Sequence, residues 1–105
     1  MTYKHLIDVH VHLNNYHEQV AVSLDESLDK LQAAMAEAKI DYALVLTSYL
    51  VSPHRPSVAE VVKAVQDAPN LGVVAGISFL HYREKQLREL ADLLRDGLVM
   101  GLKLY

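Results

Sequence analysis

Four apolar, β-prone runs recur along this chain, at residues 6–13, 42–48, 72–79 and 98–105, and an amphipathic helical segment separates each from the next. Run starts fall roughly 25–36 residues apart, which is room for a strand, a crossover helix and two short connections. Alternation of this kind defines an α/β fold with a parallel sheet and right-handed crossovers. The two inner runs, Tyr42-Ala43-Leu44-Val45-Leu46-Thr47-Ser48 and Gly72-Val73-Val74-Ala75-Gly76-Ile77-Ser78-Phe79, are apolar at consecutive positions rather than alternating. Such strands are covered on both faces, as in parallel sheets flanked by helices.

The connecting segments carry helix signals of their own. The first helix is expected over 25–39, opened by Ser23 or Asp25, with Leu24, Leu28, Leu31, Met35 and Ala38 at helical spacing. Asp25 and Glu26 suit the positive end of its dipole. The second opens on Ser57, where Glu60 completes a capping box. It carries Val58, Val61, Val62 and Val65 on one face and ends near Asp67, before Pro69. The third covers 84–96, with Leu87, Leu90, Ala91 and Leu94 as its apolar face and Gly97 just past its end.

Two architectures accommodate this order. One is a small open sheet with helices on both faces. The other is the first half of a (β/α)8 barrel, a fold that takes about 250 residues when complete. Three features favour the barrel. No Gly-rich phosphate loop follows the first strand. No helix follows the fourth run to cover its apolar side. Polar and titratable residues gather at the C-terminal ends of the strands, namely His10, His12, Tyr16, His17, Ser48, His54, His81 and Lys103, the end where barrel active sites are built. The expectation is one unit over 1–105: the N-terminal half, β1 to β4, of a (β/α)8 barrel, and a fragment of a longer domain.

Composition narrows the function classes. A net charge of −3 and a pI near 6.0 give no electrostatic reason to expect nucleic acid or an anionic membrane surface as partner. The absence of cysteine rules out disulfides and thiolate-ligated metal. No apolar run is long enough to span a bilayer, and residues 1–5 lead directly into the first strand without a signal peptide. A cytoplasmic protein is expected.

The first run, Leu6-Ile7-Asp8-Val9-His10-Val11-His12-Leu13, carries the sharpest chemistry. Side chains two apart on a strand leave by the same face, so Asp8, His10 and His12 are expected together. Adjacent same-face Cα atoms lie about 6.6 Å apart. From there two imidazoles can lean onto one ion, with Zn–N bonds of about 2.0–2.1 Å. Neutral imidazole suits Zn, Fe, Ni or Cu alike. Asp8 is placed to orient a ligand histidine or to stay on the barrel floor. With six histidines in 105 residues, a chance pair of solvated side chains is the competing reading. The acid two residues earlier, the apolar flanks and the first-strand position argue against it.

This run resembles the opening of amidohydrolase-superfamily proteins, which are metal-dependent (β/α)8 barrels, and Gly101-Leu102-Lys103-Leu104-Tyr105 resembles the fourth-strand segment of their amidohydrolase-related branch. The resemblance covers the whole chain as an order of elements and is specific at its two ends. It implies that His10 and His12 bind a divalent metal, most often zinc, as one or two ions. It implies a catalytic role for Lys103, either carboxylated and bridging two metals or kept as an amine beside one. It places the remaining ligands, two histidines and an aspartate, beyond Tyr105, so the fragment alone is expected to be inactive. The implied activity is hydrolysis: the ion activates a water to attack the carbonyl of an amide, lactone or ester in a small organic substrate. Non-oxidative decarboxylation on the same barrel is the nearest alternative. TatD-like deoxyribonucleases share the Ile-Asp-x-His-x-His-Leu opening, but their fourth strand carries a metal-binding glutamate where this chain has Lys103. Histidinol-phosphatase-like phosphoesterases share only the histidine pair.

Four further residues are candidate substrate contacts: Tyr16 after the first strand, His54 and Arg55 after the second, and His81 after the third. Arg55 could grip a carboxylate or phosphate in bidentate fashion. Lys103, if not a ligand, could hold a substrate carboxylate or stabilise developing negative charge, or simply extend to solvent. His5 lies at the opposite end of the strand and reads as structural. A reading of another class remains, in which the chain is a non-catalytic half-barrel, an assembly unit forming a homo-oligomer through open sheet edges.

Overall fold

The structure is a computed structural model that describes residues 5–14 and 22–105. Its elements follow the order β1 (Ile7–Val11), α1 (Leu24–Ala38), β2 (Tyr42–Leu46), α2 (Val58–Val65), β3 (Leu71–Ile77), α3 (Glu84–Arg95) and β4 (Gly101–Leu104). The four strands are parallel and lie side by side in chain order, β1-β2-β3-β4.

Which face each strand buries decides the architecture. Ala43 and Val45 of β2 and Leu71, Val73, Ala75 and Ile77 of β3, each two positions from the next, form one core with Met35 of α1, Val61 and Val65 of α2, and Leu90 of α3. All three helices therefore cover the same face. A right-handed crossover to the next strand in line puts every helix on one side, whereas a doubly wound sheet needs a reversal of strand order. With no reversal and one covered face, the sheet curls into a half-barrel whose concave side is free of helices. The open two-sided alternative is excluded for the described residues.

The helix ends follow local chemistry. Ser23 caps α1 by accepting the Glu26 amide (3.1 Å). Ser57 and Glu60 form the reciprocal capping box at α2, both bonds being 3.1 Å. α1 stops one residue before its expected end because Lys39 adopts the left-handed conformation (φ 58°), its amide turning back to Ala36 and Met35.

α3 departs from expectation. Leu90 is buried and Leu93 packs against the core, but Leu87 and Leu94 are exposed (39% and 37%). The helix lies at the end of the layer, with no neighbour on its β4 side among the described residues, so a narrower stripe is covered. Exposure at the sheet edges has the same cause: Ile7 and Val9 of β1 are 56% and 63% exposed, and Leu102 and Leu104 of β4 are 42% and 65% exposed, while Val45 and Val73 on the inner strands are 0% and 1%.

β2 and β3 meet closely at Gly76 and Thr47. The Gly76 amide donates to the buried Thr47 hydroxyl (2.9 Å). A Cβ on Gly76 would run into the Thr47 carbonyl oxygen and come within 2.9 Å of the Tyr105 ring.

Two stability outcomes follow from this geometry. Gly76→Ala should lower stability by about 1–3 kcal/mol, because backbone blocks the added methyl. Lys39→Gly should raise it by up to about 1 kcal/mol by removing a side chain from a left-handed position. Urea unfolding followed by circular dichroism measures both, and a neutral Gly76→Ala would contradict the described packing.

Candidate functional site

β1 reaches the rim of the half-barrel through an irregular register. Ile7 and Asp8 pair with Tyr42 and Ala43, but Val11 pairs with Val45, three steps of β1 against two of β2. Such a bulge re-aims side chains. Asp8 Oδ1 accepts the His10 backbone N–H (3.0 Å), so the acid tethers the backbone of its own strand. The simple sharing of one face by Asp8, His10 and His12 is corrected here: Asp8 holds the main chain of His10, and the two histidines alone converge.

Their rings meet at the Nε2 atoms, 3.1 Å apart, with centroids 5.0 Å apart and planes at 69°. His12 Nδ1 lies 2.8 Å from the Leu46 carbonyl oxygen at the end of β2. A carbonyl only accepts, so Nδ1 carries the proton and Nε2 of neutral His12 presents its lone pair to His10. In the metal-free protein His10 Nε2–H is then the donor between the rings. Burial pushes the His12 pKa below its ordinary 6.5. The Leu46 bond opposes that shift, and the nearby charges of His10, Lys103 and Arg55 add to it.

This arrangement fits a metal. Two imidazole nitrogens on one tetrahedral zinc stand about 3.3–3.4 Å apart, close to the separation found. A ligand histidine whose other nitrogen donates to a backbone carbonyl has its tautomer and ring plane set in advance. The pair supplies half of a four-coordinate shell. Among the described residues no group of three histidine, cysteine or carboxylate side chains converges.

Lys103 stands opposite Gly76 in the β3–β4 register, so it shares the concave face, and its Nζ lies 4.8 Å from the centroid of the Tyr105 ring. Tyr105 in turn packs on Tyr49 (4.9 Å between centroids). Arg55 is held by a two-residue bridge to Ser52 and reaches Ser48 Oγ with Nη1 (3.5 Å). Lys103 and Arg55 are thus brought into the neighbourhood of His12, as their effect on its protonation requires.

His54 is not. It lines a separate cavity of about 470 Å³ between the start of α1 and the β2–α2 connection, with Leu13, Ser23 and Glu60. Among the described residues neither His10 nor His12 lines it. The His81 amide donates to Ser78 Oγ (3.1 Å), and the residue is exposed after β3. Tyr16 and His17 lie outside the described residues. His5 sits 4.0 Å from Asp41 at the far end of the strands, a structural placement.

Two participants escaped the sequence reading. The Leu46 carbonyl has no side-chain signature, since any residue supplies one. Tyr49 had a usable signal, an aromatic just past the end of a strand. No family model, curated protein or solved structure matches this chain. Among the described residues no helix is long and apolar enough to cross a membrane.

The protonation of His12 is directly measurable. In chelator-treated protein its ring resonances should titrate with a midpoint below 6.5, and Lys103→Met should move that midpoint upward by removing a nearby positive charge. A folded-state pKa held below the unfolded one means that His12 favours folding above pH 6.5 and loses that contribution as pH falls through 6.5 toward the folded value. An unchanged midpoint in Lys103→Met would separate the lysine from the histidine pair.

Proposed function

We propose that the chain carries the metal-binding corner of a metal-dependent hydrolase of the amidohydrolase type, acting on a carbonyl carbon of an amide, lactone or ester in a small organic substrate. The observation that carries the reading is the pair of Nε2 atoms 3.1 Å apart, with His12 anchored on a main-chain carbonyl. His10 and His12 would hold a divalent ion, zinc by preference for two imidazoles and open positions. When bound, such an ion supplies Lewis acidity toward a carbonyl oxygen and lowers the pKa of a coordinated water.

The chain's own groups would do the rest. The Leu46 carbonyl keeps the proton of His12 on Nδ1, so the metal-facing nitrogen stays available at neutral pH. Lys103, on the concave face beside Tyr105, would stabilise negative charge on a substrate as an amine or serve as a ligand if carboxylated. Arg55, fixed through Ser48, would orient a carboxylate. The concave positions of β4, Gly101 and Lys103, and Tyr105 just after it include no acid, which weighs against a nuclease of the TatD type. Decarboxylation would use the same groups and is the nearest alternative reaction.

Zinc titration by calorimetry tests the assignment. The wild-type chain should bind one ion, and His10→Ala and His12→Ala should each weaken binding at least about tenfold. Wild-type affinity in both variants would remove the metal from this corner. The apolar residues exposed at both sheet edges favour a second reading, that of an assembly unit, and it is compatible with the first.

A further inference from the structure

We propose that the cavity of about 470 Å³ between α1 and the β2–α2 connection binds an uncharged, largely apolar small molecule bearing a hydroxyl or carbonyl oxygen, and that its occupancy is felt at the histidine rim through Arg55. The proposal goes beyond the hydrolase reading and does not depend on it. The cavity walls are the start of α1, the β2–α2 connection and the first turn of α2, neighbours within the described chain, with buried Leu13 beside them. The volume falls within the roughly 300–1,000 Å³ of small-molecule pockets, which join a mainly apolar lining to a few convergent polar groups.

The lining decides the chemistry. Leu13, Val22, Leu24, Val51 and Pro56 supply carbon surface. The polar groups are left mainly as donors. Ser23 Oγ already accepts the Glu26 amide (3.1 Å) and Ser52 Oγ the His54 amide (3.2 Å), which leaves each hydroxyl proton for a ligand. The Ser27 hydroxyl and the His54 ring have no hydrogen-bond partner among the described residues. A hydroxyl or carbonyl oxygen on the ligand would accept from these groups. Charge is disfavoured in both senses. An anion would stand beside the Glu60 carboxylate, whose Oε1 takes the Ser57 amide (3.1 Å). A cation would stand at the starts of α1 and α2, the positive ends of their dipoles.

The loop that walls the cavity also carries Arg55. Ser52 and Arg55 exchange two backbone hydrogen bonds (3.1 and 3.0 Å), so residues 52–55 form a closed turn. Ser52, Pro53 and His54 line the cavity, while Arg55 reaches Ser48 Oγ (3.5 Å). A turn this short cannot yield at His54 without moving Arg55. Leu13 gives a second link, because it lines the cavity and directly follows His12.

Three probes built on one rigid hydrocarbon cage test the class: adamantanol, adamantylammonium and adamantanecarboxylate. Each is titrated into the chain and followed through its backbone and side-chain N–H resonances. Adamantanol should saturate, with shifts centred on Leu24, Ser27, Ser52 and His54. It should bind at least about tenfold more tightly than either charged probe, whose head group would lose water without gaining a partner. Equal or tighter binding of a charged probe overturns the ligand class. A failure to saturate, or shifts centred elsewhere, overturns the site. Ser27→Phe should fill the cavity and abolish binding. His54→Ala, a change in a loop side chain, should weaken binding about fivefold, the worth of one ordinary hydrogen bond. Wild-type affinity in His54→Ala overturns the assigned contact, and this variant carries the mapping alone if circular dichroism shows Ser27→Phe to be misfolded. The Arg55 Nε–H resonance should move with the same midpoint as the lining amides, and a still Arg55 signal refutes the link to the rim.

Discussion

Burial of one face of β2 and β3 beneath three helices is the constraint on which the rest depends. Ala43, Val45, Val73 and Ala75 are almost wholly withdrawn from water against Met35, Val61, Val65 and Leu90. Because that one face takes all the helices, the sheet curls away from them, and the other face becomes a concavity. The concavity then sets the position of everything chemical. Gly76 lets β2 and β3 meet closely, with the Thr47 hydroxyl accepting its amide, and Lys103 of β4, opposite Gly76 in register, shares the concave face.

The histidine pair illustrates how an edge strand can hold a defined geometry. β1 has one sheet neighbour and exposed apolar residues, which argues for mobility. Two main-chain contacts counter this. Asp8 ties the His10 amide within the bulge, and the Leu46 carbonyl takes the His12 proton. Both act before any ion arrives, so the rings are turned toward each other by the fold itself. Burial of His12 and the cations beside it favour the neutral ring, the form that donates a lone pair to a metal.

Much of this was legible from local pattern. Ser57 and Glu60 announce the start of α2 because a capping box needs only residues three apart, and its valines at 61 and 65 point inward as their spacing requires. Consecutive apolar residues in β2 and β3 mark them as the inner strands, but the expected helix cover on both faces is found on one face alone, because strands in simple chain order send every crossover to the same side. The approach of His10 and His12 follows from the two-residue repeat of a strand. Three readings needed more than the local pattern. Asp8 fits the same repeat, yet a register slip against β2 turns it onto the main chain. On α3, Leu87 and Leu94 match the helical period as well as Leu93 does, but only the position of the helix at the end of the layer decides which of them is covered. His54 and Arg55 are adjacent in one loop, yet they face different spaces, a side cavity and the rim.

The amino-acid order alone determined the alternation of elements, the caps and the meeting of two imidazoles, because each depends on the periods of helix and strand within a few residues. Tertiary structure decided the acceptor for His12, the role of Asp8, and the company of Lys103 and Arg55. Those depend on register between strands far apart in the chain, and a main-chain carbonyl such as that of Leu46 is the same whatever side chain it carries.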